Sequence, residues 1–176
     1  FLCSYSSIIL ETLLFTILSK SEDAASIMLS KGLLDSILIT IESIIKEIFN
    51  NIDQQNREIT DYLVRAITIL EKLVNSYNID KSYINSIFDF TVQFLSPDYL
   101  NIQSGFLLKI IDCISSCIQK IEDLSRIDVN LYLQFLMELL DNKERRYQKS
   151  VLNFFNTIST PPLLFQWNKE SILNIL

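Results

Sequence analysis

Four groups of residues in this 176-residue chain are of types and spacings that could do chemistry. The first is a basic cluster, Lys143, Arg145, Arg146 and Lys149, with Glu144 inside it. Cations at that spacing suit a phosphate or an acidic partner segment; a solvated helix face with i, i+4 pairing uses the same residues. The second is Cys113 and Cys117, four apart, so on one face of a helix. A zinc site would need two further ligands, and no histidine or nearby cysteine offers them. A disulfide there would close a single helical turn. The pair therefore reads as two small buried hydrophobes.

The third group is the carboxylate pairs Glu22/Asp23 and Glu122/Asp123. General acid–base work needs carboxylates facing each other across a pocket, whereas neighbours on a helix point about 100° apart. These pairs read as a dipole-favoured helix start and a solvated helix end. The fourth is Trp167 with Phe165 beside Pro161-Pro162: an exposed aromatic anchor, or a brace pinning a proline-broken connection. Asn153 and Asn156, at i, i+3, invite comparison with groove asparagines that hold extended peptides, but no tryptophan ladder accompanies them. The possible partner-binding residues are accordingly Lys143, Arg145, Arg146, Lys149 and Trp167, with none for catalysis, cofactor or metal.

Composition narrows the classes further. The chain has no histidine, which excludes a Ser-His-Asp or Cys-His centre and a His-ligated metal. Two glycines are too few for a phosphate-cradling loop plus the turns of a sheet protein. A net charge of −6 argues against binding to a phosphate backbone. An odd count of three cysteines without a framework points to a reducing compartment, so a cytoplasmic or nuclear location is expected. The apolar opening FLCSYSSIILETLLFTILS carries Glu11 and four serines and lacks a basic leader, which argues against a signal or spanning segment.

The elements that must position these groups are helices. Apolar residues recur with period 3.6 between short polar stops. The spacing predicts helices at Ser4–Lys20, Ala24–Ser30, Leu33–Phe49, Arg57–Tyr77, from Asp80 to about Leu95, and from Ser96-Pro97 onward; the alternative for the last is a break marked by Gly105, with Asp98–Ile102 a separate turn. Others follow from Asp128 to Asp141, from Asn142 to about Ile158, and at Lys169–Leu176. Lys31-Gly32 is a stop, with Gly32 in a left-handed conformation. Asp80 is a cap. Leu34, Ile37, Leu38, Ile41, Ile45 and Ile48 form a stripe that Ile39 and Ile44 widen, so cover on more than one side is expected. Leu63, Ala66, Ile67, Leu70, Leu73, Val74 and Tyr77 share the spacing 0, 3, 4, 7, 10, 11, 14 with Leu107, Ile110, Ile111, Ile114, Cys117, Ile118 and Ile121. Long helices recur at Leu33, Arg57, Asp98 and Asn142, and two of the intervals fit a repeat of about 40–47 residues.

The expectation is an all-α, right-handed α-solenoid of about eight or nine helices, of armadillo or HEAT type; an irregular helical bundle is the alternative. Residues 1–176 form a single armadillo-like segment. The start on Phe1 and the apolar end at Ile172, Leu173, Ile175 and Leu176 suggest a piece of a longer chain that continues the same stack at both ends.

The stretches DAASIMLSKGLLDSIL and LVRAITILEKLVNSYN resemble the N-terminal armadillo-like region of giant HECT-type ubiquitin ligases. In that family a small-residue helix, a Gly-Leu start and an A-x-x-I-L-E helix follow in a similar order. The resemblance covers about the first 85 residues, and the family's glycine-rich continuation is absent. It implies a non-catalytic scaffold that recruits and positions substrates, with the catalytic cysteine in a distant C-terminal domain. LLDNKERRYQKSVLNFF, with FLSPDYLNI, resembles a HEAT-like repeat of the B-prime regulatory subunits of protein phosphatase 2A. That implies a regulatory scaffold instead. Either resemblance makes other proteins the partners, without cofactor, nucleic acid or membrane. A stand-alone helical enzyme is the third possibility.

Overall fold

The computed structural model describes residues 22–50, 57–75, 79–96, 99, 104–121, 135–140 and 145–158. Among them there is no strand. Helix α1 spans Glu22–Ser30, α2 Leu33–Asn50, α3 Arg57–Asn75, α4 Lys81–Val92, α5 Ser104–Ile118 and α6 Arg145–Ile158. Residues 135–140 are helical as well. The expected helices at 4–20 and 169–176 lie outside the described residues.

The local signals explain the boundaries. Gly32 has φ +80°, the one positive φ among the described residues. Its N–H donates to the Leu29 carbonyl at 3.0 Å and Lys31 N–H donates to Ile27 at 3.2 Å, closing α1 with a left-handed residue that only glycine adopts without strain. Asp80 is the N-cap of α4, its carboxylate accepting the Ser82 N–H at 2.8 Å. That hydrogen bond holds the Asp80 carboxyl below its ordinary value. Helix α5 begins at Ser104, beside Gly105, so of the two expected starts the later one holds and the one at Ser96-Pro97 does not. Tyr99 instead forms a separate short turn, with its N–H on the Ser96 carbonyl at 3.1 Å.

Helix α5 is the centre of the packing. It packs most extensively on α3, then on α6 and α4, while α2 packs on α3 and α1 on α2. Leu107, Ile110, Ile111, Ile114, Cys117 and Ile118 of α5 are buried, as are Leu63, Ala66, Ile67, Leu70, Leu73 and Val74 of α3. Each such Leu or Ile contributes about 1.5–3 kcal/mol by leaving water. Between α4 and α5, Phe94 makes edge-on contacts with Phe90, Tyr99 and Phe106, at centroid distances of 5.2, 5.2 and 5.7 Å. The hydroxyls that this Ser- and Thr-rich chain places in helices bond to carbonyls one turn back. Buried Thr91, for example, donates its Oγ1–H toward Ile87 O at 2.8 Å and Phe88 O at 3.1 Å.

Helices α3 and α5 run parallel. Gly105 faces Val64, Lys109 and Glu71 pair, and Asn75 donates to Ser116, so contacts advance in the same direction along both. The first and last of these link residues 41 apart. The buried positions themselves recur in steps of 44: 63, 107 and 151 (Leu, Leu, Val), and 66, 110 and 154 (Ala, Ile, Phe). At 67 and 111 lie buried isoleucines, and at 155 Phe155 is packed against the same core.

Candidate interaction surface

Helix α6 is amphipathic because its apolar residues recur one turn apart. Tyr147, Val151 and Phe154 are buried, and Phe155 lies edge-on to Phe154 at 6.0 Å. The opposite face carries Arg145, Lys149, Leu152, Asn153 and Asn156, all exposed. Gln148 ties the helix inward, donating from Nε2 to the Leu140 carbonyl at 3.2 Å. Of the predicted surface residues, Arg145 and Lys149 therefore share one open face. Arg146 belongs to the same helix, and Lys143 and Trp167 lie outside the described residues. Asn153 and Asn156 join the face beside the two cations.

The polar groups nearer the core are engaged with one another. Lys109 Nζ sits 3.3 Å from Glu71 Oε2 and 3.5 Å from Asp112 Oδ2, all three half-buried. Burial alone would lower the Lys109 pKa; the two carboxylates, Glu71 foremost, outweigh it and raise it. Asn75 Nδ2 donates to Ser116 Oγ at 3.4 Å one turn further along. Cys113 and Cys117 are free thiols with no exposed surface. Their mutual hydrogen bond and burial, followed by the charges of Cys117, Glu71 and Asp112, push the Cys113 thiol up. Both therefore behave as the buried small residues that their spacing suggested. Asp23 is exposed on α1, and Glu122/Asp123 lie outside the described residues. No group of three or more acidic, cysteine or histidine side chains among the described residues is placed to hold a metal ion. No described helix is long and apolar enough to cross a membrane.

Two features were missed by the sequence reading. Ile39, expected under the widened stripe of α2, is 64% exposed. Among the described side chains of α2, Leu34, Ile41 and Ile45 are buried, with Leu33, Ile37, Leu38 and Ile44 half-buried beside them. Leu152 is 53% exposed on α6 between Lys149 and Asn156. An apolar side chain in an otherwise polar face leaves no periodic signature, so only the packing reveals it. Asp35, Glu42, Lys46 and Lys72 are solvent-facing, whereas Arg65 is half-buried.

Comparison with protein-family models, with curated proteins and with solved structures finds no match.

Proposed function

We propose that this chain is a non-catalytic protein-interaction scaffold, built as an armadillo- or HEAT-like right-handed helical repeat. One observation carries the reading: α3 and α5 stack in parallel while equivalent buried positions recur every 44 residues into α6. A repeat of that length whose units bury their faces on their neighbours makes an extended surface rather than an enclosed pocket. The chemistry of the open faces fits that role. Lys109 pairs with Glu71 and Asp112 between α3 and α5, the thiols are buried, and the exposed cations Arg145 and Lys149 stand beside an apolar residue and two amides on α6. An acidic partner segment with an apolar side chain is the ligand such a face suits.

The finer reading is a substrate-positioning segment of a HECT-type ubiquitin ligase. Its support is the stretch DAASIMLSKGLLDSIL, which folds as helix α1, a left-handed Gly32 and helix α2.

The scaffold reading is tested by quantitative affinity isolation with the intact chain beside its Arg145→Glu/Lys149→Glu variant. A defined set of proteins retained by the first and lost by the second is expected. An identical set from both removes α6 as the binding face. Turnover or thioester formation by the chain alone removes the non-catalytic reading. The ligase reading requires a thioester-forming cysteine in a C-terminal domain of the full-length polypeptide, and its absence there leaves only the scaffold.

A further inference from the structure

We draw no further inference here: the strongest candidate, the polar side-chain cluster of Lys109, Glu71, Asp112, Asn75 and Ser116 where α3 meets α5, carries nothing, because its ion pairs and hydrogen bond hold these groups to one another and nothing in the structure shows what covers them.

Discussion

Asp80, Lys109 and Cys113 each tie stability to pH, and the three act in different ranges. The Asp80 carboxyl is held below its ordinary value by the Ser82 N–H. Its contribution is present above the unfolded value and is lost as pH falls through the lower folded one. Asp80→Ala is expected to lower the melting temperature at pH 7 and to flatten the acid limb of the stability curve. Thermal melts between pH 2 and 7 check this against Asp80→Asn, which keeps a cap but no charge. Burial alone would lower the Lys109 pKa, but its two carboxylates raise it above the ordinary value, so its contribution persists below the unfolded value and is lost as pH rises through the folded one. Cys113 is raised well above the ordinary thiol value by its hydrogen bond with Cys117 and by burial, so once pH exceeds the ordinary value the unfolded chain ionises first and is favoured. The chain is therefore expected to lose stability from about pH 9 upward, with Cys113→Ser shifting that limb. Alkylation of Cys113 and Cys117 at pH 8 in native buffer is expected to be limited by the opening of α5. Rates matching those of free thiol would contradict the buried placement.

At the scale of the helix, the 3.6 period read the inner faces of α3, α4 and α5 closely. Ile84, Ile87, Phe88, Thr91 and Leu95, a stripe spaced 0, 3, 4, 7 and 11, are all buried. Phe90 and Phe94 were not on that stripe, yet they are buried because α5 brings Phe106 to them, a contact between elements that no single-helix pattern encodes. The start of α5 was legible only as two alternatives. Ser96-Pro97 is a sound helix-start signal, but the Tyr99 turn comes first and the helix begins beside Gly105. For the surface, the cations of α6 were legible as a cluster, whereas Leu152 and Ile39 were not, since what exposes them is the extent of their neighbours. Truncating Ile110, which has no exposed surface at the centre of α5, to alanine is expected to cost about 2–5 kcal/mol in chemical denaturation. Gly105 tests the α3–α5 approach from the other side. Its added methyl would meet Val64 at an ordinary contact distance, so Gly105→Ala is expected to be neutral or to stabilise by up to about 1 kcal/mol. Gly105→Leu is expected to destabilise by about 1–3 kcal/mol, because the larger side chain pushes the helices apart.

Among the described residues, packing is unevenly shared between the helices. Helix α5 has α3, α4 and α6 around it, while α1 packs on α2 and α6 packs mainly on α5. In such an array, local stability follows the number of packed neighbours. Amide exchange is expected to be slowest in α5 and α3 and fastest in α1 and α6. Uniform protection from α1 to α6 would instead indicate a single cooperative globule. The shared spacing of two helices was visible in the sequence. Its extension into α6 carried a weaker signal, because Val151, Phe154 and Phe155 stand where leucine and isoleucine stand in α5.

The Lys109–Glu71 pair has a consequence for how such a stack stays aligned. Oily ridges of similar side chains tolerate sliding, since a shift by one turn, about 5.4 Å, lays leucine on isoleucine almost as well as before. That shift would carry Lys109 from Glu71 to Ile67 or Asn75, where no carboxylate waits. The ion pair thus acts as a detent on an otherwise greased rail. Its coupling energy, about 0.2–1 kcal/mol for partly exposed charges, is small against the whole fold but is repeated in no slipped alignment.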